Sequence, residues 1–570
     1  MKKYSLLIWF ILVLALFNSC RLIGININRK TAIRGDVYPT FSREDSLQGG
    51  LNNLRTCYDV QHSALSISIN PDKKYICGYV DIDFDVVRPT QKIQIDLYDN
   101  MQLDSILYKN EQLLFKREFD AVYISFPDTI IQNSEQSIRC YYQGKPKKAP
   151  KPPWKGGFVW KKSKDGKPWI GVACELAGAS LWWPCKDHIS DEPDEGAIID
   201  ITVPKGLQVI SNGVLTKQYD DEQTSRFVWE TNYPINNYNI TLYVGAFEHF
   251  STEYSGTNEN FTIDYYVLPE HKEEAEKIFT QTPQVIQFYE KVFGPYPWSE
   301  EGFKLVGSPY AGMEHQTAIA YGTNFKRYTH HLGFDYLIVH EAAHEWWGNA
   351  VSAQDYADIF LHEGFATYAE VLYVEHIYGK QAARNYLGFY GMLVKNKNPV
   401  VGPRGVNFWD YKDSDPYLKG AWALHGLRNI IGDDLFFDLL RDFYAQYYLQ
   451  NITVSEFIEY VNEFTHENLT WYFNQYLYDR NVPELQYKFE EINNEEVYVY
   501  VKWTEVQKDF ALPVRLFVTM NDGTEYPILV YPTTKTQKII IKSSQIIRFD
   551  SNFAYFRIEK NKKLNSQYKR

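Results

Sequence analysis

Two histidines separated by one helical turn are the first sign of chemistry in this chain. His340 and His344 stand in the run His-Glu-Ala-Ala-His, inside a stretch whose apolar residues recur at helical spacing. Residues four apart on a helix project from the same face, so both imidazoles can bind one metal ion. Glu341 lies between them and is suited to act as the general base for a water molecule. The three fixed residues of this pattern also occur by chance on helix surfaces, so the metal site needs a further ligand to support it.

A carboxylate further along the chain can supply that ligand. Zinc accepts two imidazole nitrogens and one carboxylate oxygen and leaves a fourth position for water. Glu363 lies in Leu361-His-Glu-Gly-Phe-Ala-Thr-Tyr368, a second helical segment that can pack antiparallel to the first. We therefore predict one zinc ion per chain, held by His340, His344 and Glu363.

The residues around the predicted site resemble the aminopeptidase N family of gluzincin metallopeptidases, which includes leukotriene hydrolase. The family has HExxH followed by Trp, Gly and Asn, and Asn-Glu-Gly-Phe-Ala around the third ligand. This chain reads His340-Glu-Ala-Ala-His-Glu-Trp-Trp-Gly-Asn349 and His362-Glu-Gly-Phe-Ala366. His362 replaces the usual Asn. The resemblance runs from about Asp59 to the end of the chain and implies a zinc peptidase.

An enzyme that cuts at the N-terminus of a peptide needs carboxylates that bind a free ammonium without holding the metal. The resemblance implies two such acids. Glu314 lies in Ala311-Gly-Met-Glu-His315, where the family has Gly-Ala-Met-Glu-Asn. Glu175 lies in Ala173-Cys-Glu-Leu-Ala177, in the N-terminal part of the chain.

The segment before Glu314 is expected to line the substrate, with a backbone that departs from the family pattern. The order of alanine and glycine is exchanged, and a histidine stands where the family has asparagine. These differences leave the chemistry in place and put the substrate preference in question. The residues predicted to contact the substrate here are Ala311, Gly312 and Met313.

Hydrolysis of a peptide bond develops an oxyanion, which needs a hydrogen-bond donor besides the metal. The family places a tyrosine in Tyr-x-Lys-Gly, and this chain has Tyr417-Leu-Lys-Gly420 after the turn Asp415-Pro416. The resemblance therefore implies that Tyr417 stabilises the tetrahedral intermediate. Either Glu370 or Asp358 could orient a ligand histidine from outside the metal's own ligand set.

Other histidines are predicted to be structural. They lack partners at ligand spacing, and a lone histidine is more often a packed side chain than a ligand. The residues in this group are His330, His331 and His425.

Length and composition indicate a globular protein of several domains. The chain has 570 residues, more than one hydrophobic core usually organises. Its 45 tyrosines and 14 tryptophans suit strand-rich architecture and peptide-lined clefts. The net charge of -12, without a long basic run, argues against nucleic acid as the main partner.

The periodicity of apolar residues divides the chain. Alternation with period two runs from about Tyr58 to Phe250, helical spacing follows from about Glu270, and strands return after Val482-Pro483. We predict a multidomain α+β fold with an N-terminal β domain (51–255), a mainly helical catalytic domain (256–482) and a small β-sandwich (483–570). The resemblance adds a saddle-like shape for the first domain and a thermolysin-like second one. It also leads us to expect no large C-terminal helical domain, and hence a more open cleft.

The first residues form a separate unit. Lys2 and Lys3 precede an apolar stretch from Leu6 to Phe17, which is typical of a secretory signal peptide (1–20). Asn18-Ser19-Cys20 resembles a bacterial lipobox, so Cys20 is expected to carry a lipid, with 21–50 as a tether. We expect the chain outside the cytoplasm, anchored in a cell-envelope membrane; the alternatives are an ordinary signal peptide or an uncleaved anchor. The five remaining cysteines are odd in number and predict no complete disulfide framework.

Three functions fit these residues. The first is an aminopeptidase acting on peptides with a free N-terminus. The second is another zinc hydrolase on the same fold, an endopeptidase or an epoxide hydrolase. The third is a lipid-anchored binding protein with an inactive peptidase fold, which the five intact site residues argue against: His340, Glu341, His344, Glu363 and Tyr417.

Overall fold

A computed structural model describes residues 38–407, 413–493, 496–520, 522–542 and 547–564. The predicted signal peptide, Cys20 and most of the predicted tether lie outside these residues. Within them, every helix is too short or too polar to cross a membrane. The five cysteines of the described ranges carry free thiols: Cys57, Cys77, Cys140, Cys174 and Cys185.

The N-terminal part of the chain forms three sheets, as its alternating pattern predicts. In the long strand Tyr58–Asn70, Leu65, Ile67 and Ile69 are buried while their neighbours face outward. The largest sheet has eight strands in the order β13-β14-β11-β1-β2-β8-β4-β5, and smaller sheets have the orders β3-β7-β6 and β12-β15-β10-β9. The strands are β1 Tyr58–Asn70, β2 Tyr75–Val86, β3 Thr90–Asp96, β4 Met101–Tyr108, β5 Glu111–Gln112, β6 Leu114–Glu118, β7 Ala121–Ile130, β8 Glu135–Gly144, β9 Gly157–Lys162, β10 Pro168–Ala173, β11 Ala197–Pro204, β12 Gln208–Ile210, β13 Val214–Asp220, β14 Thr224–Thr231 and β15 Tyr243–Gly245.

The middle part begins with a four-stranded sheet of order β16-β17-β18-β19 and continues as helices. Its strands are β16 Glu248–Ser255, β17 Asn260–Val267, β18 Phe303–Ser308, β19 Ala318–Gly322, β20 Val351–Ala353 and β21 Gln450–Ile452. Its helices, numbered after α1 Arg43–Gly49, are α2 Lys272–Ile278, α3 Thr282–Val292, α4 Phe325–Tyr328, α5 Tyr336–Ala343, α6 Phe360–Tyr378, α7 Lys380–Leu393, α8 Asp415–Ile431, α9 Asp433–Tyr447, α10 Val454–Thr465 and α11 Thr470–Leu477.

Two segments differ from the predicted boundaries. The boundary at 255 falls inside a hairpin, because β16 pairs along its whole length with β17 and so belongs to the second domain. The end of the predicted tether is a helix: α1 has Ser42 as its N-cap and buries Leu47. Arg55 fixes this helix by donating from Nη1 to the carbonyls of Gln48 at 2.8 Å and Gly50 at 3.1 Å.

The last part forms two facing sheets of order β26-β23-β22-β28 and β25-β24-β27. Val497, Val499, Val501 and Trp503 alternate along one strand and are buried. The strands are β22 Glu484–Asn493, β23 Glu496–Thr504, β24 Val514–Thr519, β25 Glu525–Val530, β26 Gln537–Lys542, β27 Ile547–Phe549 and β28 Arg557–Lys560. The multidomain α+β prediction is confirmed.

Helix α6 is the centre of the catalytic domain. Every residue from Phe360 to Val374 is buried, so this part of the helix is covered around its whole circumference. Most of these side chains are apolar or aromatic, and the polar ones include His362, Thr367 and the acids Glu363 and Glu370. The helix packs against α5, α7 and α8. Charged side chains inside such a helix need partners, and the arrangement of those partners forms the site.

Candidate metal centre

Helix α5 carries the first of the two histidine ligands, and the second stands at its C-terminal end. The carboxylate of Asp335 caps it by accepting from the Ile338 amide at 3.1 Å, which satisfies one of the free donors of the first turn. The helix ends at Ala343, and His344 is its C-cap residue, one turn after His340. The Nε2 atoms of these two histidines are 3.2 Å apart.

Helix α6 brings the predicted third ligand to the same point. Glu363 Oε2 lies 3.4 Å from His340 Nε2 and 3.5 Å from His344 Nε2. This oxygen is buried and has no hydrogen-bond partner among the described residues. A buried carboxylate oxygen without a donor is costly unless a cation satisfies it.

The spacing of the three atoms fits zinc. Tetrahedral ligands at zinc's usual bond lengths of about 2.1 Å lie about 3.4 Å from each other. The three separations found here, 3.2, 3.4 and 3.5 Å, match that value. His344 and Glu363 are buried while 15% of the His340 side chain is exposed, so the centre opens to solvent on the His340 side.

The tautomers of both histidines follow from their partners. His340 Nδ1 is 2.8 Å from Glu370 Oε1, and His344 Nδ1 is 2.9 Å from the Trp347 carbonyl. Both partners only accept hydrogen bonds, so each Nδ1 carries the proton. The lone pairs of both Nε2 atoms therefore point to the place where Glu363 Oε2 also lies.

Glu341 lies beside this centre and is buried. Burial raises its pKa to about 8, against the lowering effect of His340 and His344. Gly312 packs directly on it, because a Cβ at position 312 would overlap Glu341 Oε1. The exchanged order of Ala311 and Gly312 thus places the residue without a side chain against the carboxylate.

Two further acids, Glu175 and Glu314, meet next to the metal ligands. Glu175 follows β10 and Glu314 precedes β19, and both are buried. Their carboxylate oxygens and a ring nitrogen of His362 lie within 4.8 Å of one another. Tyr238 donates to Glu314 Oε1 at 3.2 Å. Burial, and then the charge of Glu314, raises the pKa of Glu175.

The histidines that depart from the family pattern are both buried and neutral. His362 Nε2 accepts from the Ala353 amide at 2.8 Å, so its proton is on Nδ1. Its lone pair is engaged by the backbone, and we therefore assign no second metal ion to the group of Glu175, Glu314 and His362. His315 Nδ1 bonds the Tyr243 hydroxyl at 2.7 Å. Burial lowers the pKa of both imidazoles to about 3.

Tyr417 approaches the metal ligands from helix α8. Asp415 fixes the start of that helix by accepting from the amides of Lys395 at 2.7 Å and Asn396 at 2.5 Å. The Tyr417 ring lies 6.1 Å from the His340 ring, nearly parallel to it. Burial raises the pKa of Tyr417, and so do the charge of Glu363 and a hydrogen bond with it. The phenol stays protonated.

Of the two acids predicted to orient a ligand, only Glu370 reaches one. Asp358 instead pairs with Arg404 at 2.6 and 2.7 Å and accepts from the Val454 amide at 2.9 Å. It links the turn just before α6 to the start of α10, and its side-chain hydrogen bonds within the described residues go to Arg404 and Val454 and to no metal ligand.

Several residues of the site lie outside any recognisable sequence motif. Tyr238 bonds Glu314 from the N-terminal domain, and Tyr386 and Tyr390 bond Glu370 from α7. The two tyrosines are four residues apart, the spacing of one helical turn, and this spacing was the available signal. A chain with 45 tyrosines offers many such pairs.

Two histidines on one helix, a carboxylate on the next and a further glutamate beside them define a metallohydrolase. The comparisons agree: residues 278–476 match the model of the Peptidase family M1 domain. This matched segment contains His340, His344 and Glu363, so the likeness to M1 peptidases covers the metal centre and supports zinc as its metal.

Curated relatives are distant in sequence. The chain is 27% identical over 312 residues to leucine aminopeptidase 2 of Ajellomyces capsulatus, an alignment that covers 52% of this chain and 48% of that protein. It is 24% identical over 317 residues to aminopeptidase B of Mus musculus, covering 52% and 46%. Leukotriene A-4 hydrolase of Xenopus laevis is 23% identical over 312 residues, covering 52% and 49%. These alignments span about half the length of the curated relatives.

The fold is also found in solved structures. The M1 zinc metallopeptidase of Deinococcus radiodurans superposes with a TM-score of 0.63 at 21% identity, covering 74% of this chain and 95% of that one. A point mutant of that protein, bound to a Tyr-Ser-Ala substrate, gives a TM-score of 0.63 at 20% identity, covering 74% and 94%.

We predict that the purified chain binds one zinc ion and that His344→Ala binds it far more weakly, because one of three protein ligands is lost. Elemental analysis after dialysis measures this directly. His331→Ala is the matched control, because His331 is exposed and is not one of the predicted metal ligands. Zinc should also raise the thermal midpoint of the wild type, because it binds only the folded state. Full zinc content in His344→Ala would contradict the assignment.

Proposed function

We propose that this chain is a zinc-dependent aminopeptidase that hydrolyses the N-terminal peptide bond of peptides. One observation supports this most: Glu175 and Glu314 lie beside the metal ligands without belonging to them. The curated relatives named above include two aminopeptidases.

The two acids suit a substrate's free ammonium. Both are buried, where a charge-assisted hydrogen bond is stronger than in water. Their mutual repulsion is relieved when a cation lies between them. A peptide whose ammonium is held there has its first peptide bond placed near the metal ligands, so cleavage removes one residue.

Glu341 is the proposed general base. Zinc held by His340, His344 and Glu363 would polarise the scissile carbonyl and lower the pKa of the attacking water. Glu341 takes the proton of that water and can deliver it to the leaving nitrogen. Gly312 packs against the carboxylate of Glu341 and so restricts the positions from which Glu341 can transfer the proton.

Tyr417 is the proposed donor to the developing oxyanion. Its raised pKa keeps the hydroxyl protonated, and its ring lies next to His340. A donor fixed in a buried site stabilises negative charge without having to reorient.

We expect Glu341→Gln to lower kcat roughly 10²- to 10⁴-fold, the usual contribution of a general base. Zinc content should stay unchanged, because Glu341 is not a ligand. The assay uses aminoacyl chromogenic substrates together with elemental analysis, and chelator followed by zinc serves as the reversible control in the wild type. A fully loaded variant that keeps the wild-type rate would refute the assigned role.

We expect Glu314→Gln to lower kcat/KM for free peptides by roughly 10- to 150-fold, through loss of a charged hydrogen bond. The surface variant Glu300→Gln is the control. The wild type should cleave a free peptide and leave its N-acetylated form intact. Equal rates on both peptides would indicate an endopeptidase instead.

We also propose that the chain is lipid-anchored outside the cytoplasm through Cys20. The support is the sequence alone: a basic start, an apolar stretch and Asn18-Ser19-Cys20. Mass spectrometry of the mature protein should find a lipidated Cys20 at its N-terminus, and Cys20→Ser should lack the lipid. An unmodified Cys20 within the mature chain would exclude the anchor.

A further inference from the structure

The hydrogen bonds of the metal centre continue beyond its ligands to helix α7. His340 Nδ1 bonds Glu370 Oε1, and the other oxygen of Glu370 is 2.5 Å from the Tyr390 hydroxyl. The Tyr386 hydroxyl bonds the same oxygen, and the two hydroxyls are 2.8 Å apart. Tyr386 and Tyr390 are four residues apart, so one face of α7 presents both.

The donors and acceptors in this network have defined roles. An ionised carboxylate only accepts hydrogen bonds, and each phenol has one proton to give. Both phenol protons are therefore directed at Glu370 Oε2. Oε1 is left for the N–H of His340. Because the two oxygens are occupied from opposite sides, the carboxylate cannot rotate without breaking a bond at each end.

Packing keeps the tyrosines in place. Tyr386 and Leu387 are buried, and the Tyr386 ring lies 4.9 Å from that of Tyr390 in an edge-to-face contact. Phe334 and His330 pack against Tyr386 at 6.2 and 5.2 Å between ring centroids. Glu370 itself is buried on the central helix. Without the two hydroxyls its Oε2 would be a buried oxygen with no donor.

We propose that Tyr386 and Tyr390 are positioning residues of the zinc centre: they fix the orientation of Glu370, which holds His340 with its Nε2 lone pair toward the metal. Their contribution is to zinc affinity. Partners of this kind, one bond away from a ligand, typically change metal affinity 10- to 100-fold. The inference depends on the metal site and is independent of whether the substrate is a peptide.

The test is the zinc dissociation constant of the purified full chain, measured by competition with a chromogenic chelator. The double variant Tyr386→Phe/Tyr390→Phe should bind zinc about 10- to 100-fold more weakly, and each single variant should fall between it and the wild type. Tyr476→Phe is the control: its buried hydroxyl donates to the Tyr555 carbonyl at 2.8 Å, away from the centre. This control variant also removes one buried tyrosine hydroxyl and should leave zinc affinity unchanged.

A thermodynamic cycle distinguishes positioning from a general loss of stability. In a Glu370→Gln background, removing the two hydroxyls should weaken zinc binding no further, because the carboxylate that connects them to His340 is already absent. An equal loss in that background would overturn the proposal, as would unchanged zinc affinity in a folded double variant. If the double variant does not fold, the same comparison is made with each single variant. The thermal midpoint of every metal-free variant shows which ones are folded.

Discussion

Five buried carboxylates around the metal centre are the constraint on which this structure depends. They belong to Glu175, Glu314, Glu341, Glu363 and Glu370, from both the N-terminal and the catalytic domain. Like charges in a medium of low polarity repel strongly. Burial raises the pKa of Glu175, Glu314 and Glu341. Histidines that bind a metal are neutral, so His340 and His344 add no positive charge of their own once the metal is bound. A dication at the ligands and an ammonium between Glu175 and Glu314 would supply it, so the site is complementary to two cations at once.

The surrounding scaffold has to hold these acids against their repulsion. The loop that carries Glu175 is held by Asp187, whose carboxylate accepts from the amides of Ala179 and Ser180 at 3.0 and 3.1 Å. Asp187 is in turn bonded through its backbone to the buried pair of Arg55 and Asp96. On the other side, Asn349 donates to the Glu314 carbonyl at 2.9 Å. The loop that carries Glu175 and the backbone of Glu314 are thus held in place, and Glu175 Oε1, which has no hydrogen-bond partner among the described residues, remains available to a ligand.

The sequence predicted the site residues that lie close together in the chain better than those that the fold brings in from other segments. His340, His344 and Glu363 follow from helical spacing and from what zinc requires, and Glu370 from its position about two turns beyond Glu363. Glu175 lies in another domain, so only the family resemblance could bring it to the centre. Tyr386 and Tyr390 were missed because a tyrosine pair on a helix looks the same whether it faces core, solvent or carboxylate. The boundary at 255 was misplaced because period-two alternation continues through β16 and cannot tell which sheet a strand joins.

The contact between Gly312 and Glu341 links two segments that lie far apart in the chain and come from different motifs. A Cβ at position 312 would come within 2.0 Å of Glu341 Oε1 and 2.5 Å of Leu337 Cδ1, so an alanine there requires the ends of both side chains to shift. The residue at position 312 and the position of the Glu341 carboxylate are therefore coupled. In a chimaera that takes these two segments from different relatives, the position of this carboxylate would change with the residue inherited at 312.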